Sequence, residues 1–291
     1  MPRAGTEYRD KESASYNRAF GGSNKLSWRY LAAAAQAVLR AGGIQRARLG
    51  QEIGVRHKGT IDLVTEVDRA CEDAIVSVLR QRFPDHDIVT EETDLGRTGS
   101  RFVWFTDPLD GTTNYAHGYP FFCSSVALTV SGEVVAGAVF DPVKDELFTA
   151  EQGGGSYVNG RRLRVSSSTE LLQSLLVTGF PYDVQDDLQG KLRLFSRFMG
   201  AAQAVRRDGA AALDLCYVAA GRFDGFWEER LQPWDMMAGT LDVEEAGGRV
   251  SRFDGTPLGV AADELLATNG ALHGPMMAVL RESLGGSSPA L

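Results

Sequence analysis

The sequence predicts an α+β fold in which two helices precede a large, mainly antiparallel sheet and an α/β lobe follows it. Three observations support this prediction. Apolar residues recur at helical spacing before Pro84, short apolar runs separated by turns come next, and strand-like and helical segments alternate after Ser168. With 291 residues and 43% hydrophobic content, the chain can bury one large core or two lobes.

Two helices are predicted near the start of the chain. From Ser27, an Ala- and Leu-rich segment predicts a first helix that ends near Ala41, because two consecutive glycines follow. A short polar strand segment comes next. Behind Thr65 as N-cap, apolar residues at three- and four-residue spacing predict a second, amphipathic helix, which Pro84 ends.

Short apolar runs between polar or glycine-containing turns predict the strands of the central sheet, and they read DIVT, RFVWFTD, SSVALTV, EVVAGAVFD and ELFTAE. Asn159-Gly160 lies between two further strand-like runs and predicts a hairpin. The glycines at 153–155 are interpreted as a plain turn, since no helix follows them to bind phosphate. In the second half, the strand SLLVTGF is followed by the helical segments LQGKLRLFSRFMGAAQAV, AALDLCYVAAG and DMMAGTLDVEEAGG.

The composition of the chain indicates its cellular compartment and restricts the classes of binding partner. A net charge of −8 and a pI near 5.1 offer no broad field for nucleic acid or anionic lipid, and the arginine run at 161–164 is interpreted as a solvated strand face. The three cysteines are isolated in apolar sequence, which predicts buried thiols in a reducing compartment. The polar N-terminus, residues 1–23, lacks the apolar centre of a signal peptide, and no run is long enough to span a membrane. We therefore expect a cytoplasmic protein with polar tails at 1–23 and 285–291.

Three acidic clusters lie far apart along the chain, each beside an apolar stretch that should be core. They contain Glu91 and Glu92, then Asp107 and Asp110, then Asp235. If they meet at one edge of a sheet, two carboxylates about 4 Å apart repel by roughly 4 kcal/mol at an effective dielectric near 20. Such a cluster must take up protons or bind a cation, and oxygen ligands without Cys or His favour Mg²⁺ or Mn²⁺.

Each cluster has a simpler explanation when it is considered alone. Asp107 to Thr113 could be an acidic turn, Glu91 and Glu92 could lie in a solvated loop, and Asp235 could be an ordinary helix N-cap. The occurrence of all three clusters in one chain favours a site. In addition, Gly111 permits close backbone approach, and the threonines after it suit the start of a helix whose N–H groups bind an anion.

Four longer strings resemble the inositol monophosphatase family: DLVTEVD, TEET, WFTDPLDGTTNYAHGYPF and PWDMMAGTLDVEEAGG. Three further strings make its bacterial branch the nearest resemblance: DPVKDELFTAEQGGGSYVNG, TGFPYD and RRDGAAALDLCYVAAGRFDGFWE. The resemblance implies a five-layer αβαβα sandwich of the inositol monophosphatase and fructose-1,6-bisphosphatase type. It also implies a single phosphatase domain at 24–284, with lobes at 24–165 and 166–284. Mg²⁺-dependent hydrolysis of a phosphate monoester, inhibition by lithium and a homodimer are the functional expectations.

The resemblance assigns the metal ligands residue by residue. Glu91, Asp107 and the backbone carbonyl of Leu109 resemble the ligands of a first Mg²⁺. Asp107, Asp110 and Asp235 resemble those of a second.

The catalytic residues are assigned in the same way. Glu91 and the Thr112 hydroxyl would orient the attacking water, and Asp68 would be the hydrogen-bond partner of Thr112. The backbone N–H groups of Gly111 and Thr112 would hold the phosphate. Glu92 is a further possible site residue. Family members often recruit a third, weakly held ion beside Glu91.

The predicted substrate contacts do not determine which polyol the protein binds. Glu228 matches an acid that binds inositol hydroxyls in the family, and Asp110 and the loop Gly209 to Ala211 match residues that line the pocket. Ala210 stands where Ser or Thr is usual, so one hydroxyl contact is missing. Lys58 aligns with a lysine near the phosphate site, although a solvated lysine is an equal alternative.

The expected reaction is the hydrolysis of myo-inositol monophosphate to inositol and phosphate. Fructose-1,6-bisphosphatase, histidinol-phosphatase and nucleotide 3′-phosphatase activities are alternatives on the same site. An alternative of another class is a regulatory partner of the transcription machinery, since some bacterial relatives bind it.

Overall fold

Two large β-sheets and three layers of helices alternate in the described part of this protein, in the order αβαβα. The computed structural model describes residues 27–51, 54–57 and 63–285. The predicted N-terminal tail lies outside these residues, as does the C-terminal tail beyond Gly285. The predicted α+β class and its five-layer arrangement are confirmed.

The described helices account for three of the five layers. They are α1 (Ser27–Arg48), α2 (Glu66–Arg82), α3 (Thr112–Ala116), α4 (Leu188–Ala201), α5 (Ala211–Ala219), α6 (Pro233–Glu245) and α7 (His273–Gly285), with 3₁₀ turns at Leu171–Gln173 and Val184–Asp187. None of these helices combines the length and the apolar character that a membrane crossing requires.

The described strands form the two large sheets and one small pair. They are β1 (Val55–His57), β2 (Leu63–Thr65), β3 (Asp87–Thr90), β4 (Phe102–Asp110), β5 (Cys123–Val130), β6 (Glu133–Asp141), β7 (Glu146–Glu151), β8 (Gly155–Val158), β9 (Arg161–Arg162), β10 (Leu175–Thr178), β11 (Ala204–Arg206), β12 (Gly225–Glu229), β13 (Arg249–Ser251) and β14 (Glu264–Thr268).

The larger sheet has seven strands in sequential order from β3 to β9, and only β3 and β4 run parallel. This confirms the mainly antiparallel prediction. The β8–β9 hairpin turns at Asn159 and Gly160, both with positive φ, as a tight hairpin turn requires. The glycines at 153–155 form the predicted plain turn, and the carboxylate of Glu245 accepts the N–H groups of Gly153 and Gly155.

The smaller sheet has the strand order β11-β10-β12-β14-β13, with β10 parallel to both of its neighbours. Helices α5 and α6 fill the space between the two sheets, and their apolar side chains form one core with residues of both sheets. Helices α1 and α2 cover the outer face of the larger sheet. Helices α4 and α7 cover the smaller one, where Phe198 stacks on Trp227 at 3.8 Å between ring centroids.

The prediction that α1 ends near Ala41 is wrong, because the helix continues to Arg48. A Cβ at Gly42 would lie 2.3 Å from a ring carbon of Phe140, so Gly42 brings the helix close to the sheet instead of ending it. Gln45 is then buried one turn further on, and its amide donates to the carbonyl of Pro108 at 2.8 Å. Tertiary packing offsets the poor helix propensity of glycine here.

The end of α4 also differs from its prediction. The sequence pattern extends the helix through Val205, whereas the helix ends at Ala201 and residues 204–206 form strand β11. This short segment pairs with β10 at the edge of the smaller sheet. Backbone pairing therefore outweighs the local helical preference of its alanines.

The two adjacent glycines of α1 provide a matched test of this packing. Nothing lies within 4 Å of a Cβ at Gly43. We expect Gly43→Ala to raise the free energy of unfolding by about 0.5–1 kcal/mol, because alanine is the better helix former. Gly42→Ala should lower it by about 1–3 kcal/mol through overpacking against Phe140. Urea denaturation of both variants checks this, and equal effects would show that Phe140 moves aside without cost.

Candidate active site

A bulge at the end of β4 places Asp107 and Asp110 on the same face of the larger sheet. Residues three apart in a regular strand point to opposite faces. Here Asp107 pairs with Ser125 and Asp110 pairs with Cys123, so three steps along β4 match two steps along β5. The extra residue restores the shared orientation, and Pro108 within the bulge has no N–H to leave unpaired.

Four carboxylates meet along the wall of one cavity of about 720 Å³. Burial raises the pKa of Asp107 well above its ordinary value. Three neighbouring charges, those of Glu91, Asp110 and Asp235, raise it further. Acids that are scattered in the sequence are therefore close enough in the fold to oppose one another's ionisation.

Hydrogen bonds fix the two aspartates of β4. The Leu109 N–H donates to Asp107 at 2.9 Å, and the Ala212 N–H at the start of α5 donates to Asp110 at 2.8 Å. The thiol of Cys123 lies 3.6 Å from the same Asp110 oxygen, and burial raises the pKa of this thiol, so it is a neutral donor. Burial raises the pKa of Asp110 to about 7, although these donors oppose the shift.

The cysteines are buried and free, as predicted. Burial raises the pKa of Cys71 and Cys216 as well, which leaves them as unreactive thiols.

Asp235 lies in the first turn of α6 but is not its N-cap, as the simpler explanation supposed. The N-cap is Gln232, and Asp235, three residues on, accepts the Gln232 N–H at 2.7 Å. The carboxylate thus helps to cap the helix and also lines the cavity. Capping and a role in the site are compatible for this residue.

Thr112 begins the short helix α3 immediately after Gly111. The φ of Gly111 is +89°, and a Cβ there would lie 3.0 Å from the carbonyl oxygen of Phe121, so glycine is required. The Thr112 hydroxyl lies 2.9 Å from Asp68 and 2.9 Å from the carbonyl oxygen of Leu109. The predicted hydrogen bond between Thr112 and Asp68 is therefore present.

Asp68 is held in place from its other side. Its second oxygen accepts the backbone N–H of Thr65 at 2.8 Å and the Thr65 hydroxyl at 2.5 Å, which completes the capping box of α2. Asp68 is fully buried, and burial raises its pKa despite these donors. The capping residue predicted from the sequence thus also positions a site residue.

The remaining predicted residues divide between the cavity and its surroundings. Glu91 lines the cavity, whereas Glu92 does not and donates its N–H to Glu72 at 3.1 Å. His117 is exposed at the end of α3 and does not line the cavity. Lys58 lies outside the described residues.

The opposite end of the cavity contains Glu228 on β12, together with Gly209 and Ala211. Burial raises the pKa of Glu228 to about 8. The charge of Asp235 adds to this shift and that of Arg207 opposes it. Ala210 is buried, and its side chain does not line the cavity.

Sequence reasoning missed several residues that line the cavity: Asn114, Gly179, Tyr182, Arg207, Arg230 and Trp234. Gly179 is required next to Glu228, because a Cβ there would lie 2.1 Å from the Glu228 carboxylate. Most of these residues stand in strings that carry the family resemblance. The strings alone do not show which side chains face the cavity.

The donor set suits a hard divalent cation. It consists of carboxylate oxygens and the Leu109 carbonyl, which accepts one hydrogen bond and has a second lone pair. With the side chains in their present positions, no three acidic, His or Cys groups of the described residues form a ready-made metal centre. Positive charge would nevertheless relieve the repulsion that raises the pKa of Asp107, so the residues fit Mg²⁺.

Comparison with known proteins identifies the family. The sequence model of the inositol monophosphatase family matches residues 28–284. The chain belongs to the inositol monophosphatase family. An inositol-1-monophosphatase of Synechocystis sp. is 43% identical over 256 residues, which cover 87% of this chain and 88% of the relative. A Pseudomonas aeruginosa protein named Nus factor SuhB is 50% identical over 209 residues, which cover 70% and 77%.

Solved structures of related proteins support the same family assignment. The inositol monophosphatase from Anabaena (Nostoc) sp. superposes with a TM-score of 0.80 at 41% identity and covers 88% of this chain and 96% of its own. The extragenic suppressor protein suhB from Bartonella henselae gives a TM-score of 0.83 at 38% identity, with coverages of 87% and 99%. The predicted family membership is confirmed, and the chain is a phosphatase of this family.

Asp107→Asn tests the electrostatics of the carboxylate cluster. A carboxylate whose pKa rises on folding stabilises the protein at low pH, and this stability is lost as the pH rises through the folded pKa, about 7 for Asp110. Metal-free wild-type protein should therefore lose stability as the pH rises from about 4 to about 7, by about 1.4 kcal/mol for each unit by which the pKa of a carboxyl group rises on folding. Asp107→Asn should reduce this loss and raise the Tm at pH 8.

The same variant should lose turnover and the Mg²⁺-dependent rise in Tm, because a ligand is gone. Thermal melts with EDTA and with Mg²⁺ measure both effects. A variant that melts below the wild type in EDTA at pH 8, or that keeps a near-normal rate, would contradict this account of the cluster.

Proposed function

We propose that the protein hydrolyses phosphate monoesters with Mg²⁺, and that myo-inositol monophosphate is its substrate. The observation that carries this proposal is the meeting of Glu91, Asp107, Asp110 and Asp235 at one wall of a cavity, with the Thr112–Asp68 pair beside them. The cavity is large enough for a polyol phosphate.

Glu91, Asp107, the Leu109 carbonyl, Asp110 and Asp235 would hold two ions, and a third would bind more weakly beside Glu91. When bound, Mg²⁺ or Mn²⁺ supplies positive charge that acidifies water and stabilises the developing negative charge of the leaving group. Inhibition by lithium is part of the same proposal.

The end of the cavity that contains Glu91 and Thr112 is called the phosphate end, and its side chains orient the reactants. Glu91 and the Thr112 hydroxyl position the attacking water. Thr112 has one hydroxyl proton and two acceptors at equal distance, Asp68 and the Leu109 carbonyl, so its orientation is restricted while its oxygen lone pairs remain available. The N–H groups of Gly111 and Thr112 hold phosphate oxygens as charge builds up on them.

Glu228 contacts the leaving group at the other end of the cavity. With its pKa raised to about 8, it is largely a neutral carboxyl group at pH 7, which both donates to and accepts from polyol hydroxyls. Ala210 contributes no polar contact, so Glu228 carries more of the recognition than in relatives that have a hydroxyl there.

Thr112→Val tests the positioning of the water. We expect kcat to fall by about 100-fold with Mg²⁺ present, because the water loses an oriented hydroxyl while the carboxylates remain. Thr113→Val is the matched control, since Thr113 lines the same cavity but its exposed side chain makes no hydrogen bond within the described residues. Phosphate release gives both rates, and equal losses in the two variants would reject the assigned role of Thr112.

The substrate is tested by phosphate release from a panel of monoesters with Mg²⁺ and with EDTA. We expect inositol monophosphate to give the highest kcat/KM and EDTA to abolish it. A higher value for fructose 1,6-bisphosphate, histidinol phosphate or a nucleoside 3′-phosphate would replace the proposed substrate without changing the reaction.

A regulatory role is the second candidate, because a relative that is 50% identical carries the name Nus factor SuhB. Protein that is inactive on every monoester but is retained by RNA polymerase complexes would favour it. We also propose a homodimer in the cytoplasm. Family resemblance supports the dimer, and three free buried thiols are consistent with a reducing compartment. Sedimentation analysis tests the dimer.

A further inference from the structure

Two buried carboxylates lie one turn apart on α2, and they bond to different parts of the site. Asp68 accepts the hydroxyl of Thr112. Glu72, four residues further on, is 5% exposed and does not line the cavity. Residues four apart share one face of a helix, so both carboxylates lie on the same side of α2. Burying a carboxylate costs free energy unless partners compensate, so the partners of Glu72 indicate its role.

Glu72 holds the residues on either side of Glu91. One carboxylate oxygen of Glu72, Oε2, accepts the Thr90 hydroxyl at 2.6 Å and the Glu92 N–H at 3.1 Å. Thr90 is the last residue of β3, and the Glu92 N–H belongs to the peptide unit that follows Glu91. The two hydrogen bonds to this carboxylate therefore restrain the backbone before and after Glu91.

Glu91 needs such support because the larger sheet does not provide it. β3 is the edge strand of this sheet, and its pairing with β4 stops one residue before Glu91. Residues 91–101 then run without helix or strand. Asp87 secures the far end of this segment, where it accepts three backbone N–H groups from residues 98–100. Glu72 secures the near end, which carries the predicted metal ligand.

We propose that Glu72 is a positioning residue, which keeps the Glu91 carboxylate in place as a Mg²⁺ ligand and as a group that orients the attacking water. This inference rests on the proposed function, in which Glu91 has both of these roles. One face of α2 then supports both groups that position the water, Thr112 through Asp68 and Glu91 through Glu72. Removing a group that holds a metal ligand typically weakens metal binding or activity by about 10–100-fold.

Glu72→Met and Glu72→Gln separate this role from the filling of space by a buried side chain. Methionine is of similar length but leaves the Thr90 hydroxyl and the Glu92 N–H without their acceptor. Glutamine retains a carbonyl oxygen, and a single oxygen accepts both hydrogen bonds in the structure. We expect Glu72→Met to weaken Mg²⁺ binding by about 10–100-fold, and Glu72→Gln to bind Mg²⁺ nearly as well as the wild type.

Calorimetric titration of Mg²⁺ into the protein without substrate measures these affinities independently of turnover. Asp73→Asn is the matched control, because it removes a neighbouring carboxylate from the exposed face of α2 and should leave the affinity unchanged. Thr90→Val removes one of the two hydrogen bonds and should give an intermediate loss, which provides the test if Glu72→Met does not fold.

A double-mutant cycle with Glu91→Gln shows whether Glu72 acts through Glu91. Once the ligand has been altered, Glu72→Met should weaken Mg²⁺ binding little further, whereas independent structural damage would add its full effect. Additive losses in this cycle would overturn the inference. A Glu72→Gln variant that is as impaired as Glu72→Met would overturn it as well.

Steady-state kinetics give a second measure of positioning. At saturating Mg²⁺ we expect Glu72→Met to lower kcat by about tenfold, because Glu91 no longer orients the water as well. KM should not change, because the leaving-group end of the cavity, which contains Glu228, is untouched. A raised KM with an unchanged kcat would contradict a role at the phosphate end.

The titrations also separate this inference from the proposed function. If no ester is cleaved but Mg²⁺ affinity depends on Glu72 as expected, the proposed function is rejected and the role of Glu72 stands. If inositol monophosphate is cleaved but Glu72→Met binds Mg²⁺ as tightly as the wild type, the proposed function stands and the role of Glu72 is rejected. A wild type that binds no Mg²⁺ would reject both.

Discussion

The mutual repulsion of buried carboxylates is the constraint on which the rest of the site depends. Asp107 is 2% exposed and Asp110 is 9% exposed. The charge of Glu91 opposes the ionisation of both, and that of Asp235 opposes the ionisation of Asp107. A folded chain retains such a cluster only if surrounding groups offset its cost. Backbone N–H groups from Leu109 and Ala212 offset part of it, and protons or a bound cation must offset the remainder. The raised pKa values of Asp107 and Asp110 reflect this cost, because taking up a proton removes the repulsion when no cation is bound.

The layered fold holds these acids because all of them but Glu91 stand on rigid elements, and Glu91 directly follows β3. Asp107 and Asp110 lie in the bulge of β4, Asp235 lies in the first turn of α6, and Glu228 lies on the smaller sheet. Helix α5 begins between the two sheets and donates its Ala212 N–H to Asp110. The middle layer therefore both fills the core and fixes the distance between the phosphate end and the leaving-group end. Separate surface loops could not hold four repelling groups as firmly.

Local patterns made much of the fold predictable, and long-range contacts explain the differences. The strand runs, the Asn159-Gly160 turn and the Thr65 cap are encoded within a few residues. The continuation of α1 past Gly42 depends on Phe140, about a hundred residues away, and strand β11 depends on pairing with β10. The acidic residues were found because their types and contexts match a specific chemistry. Arg207 stands beside a second arginine, and nothing local distinguishes the one that faces the cavity.

The two ends of the cavity are built in different ways, and this difference separates the reaction from the choice of substrate. The phosphate end consists of buried groups with several hydrogen bonds each, such as Asp68 and Thr112, so a substitution there disturbs a network. The leaving-group end includes exposed side chains on connecting segments, such as Arg207 and Tyr182, which can change without disturbing the core. Ala210 fits this division, because it packs against Gly111 and leaves recognition to its exposed neighbours. The chemistry is therefore fixed by residues that the fold requires, whereas specificity depends on residues that the fold tolerates.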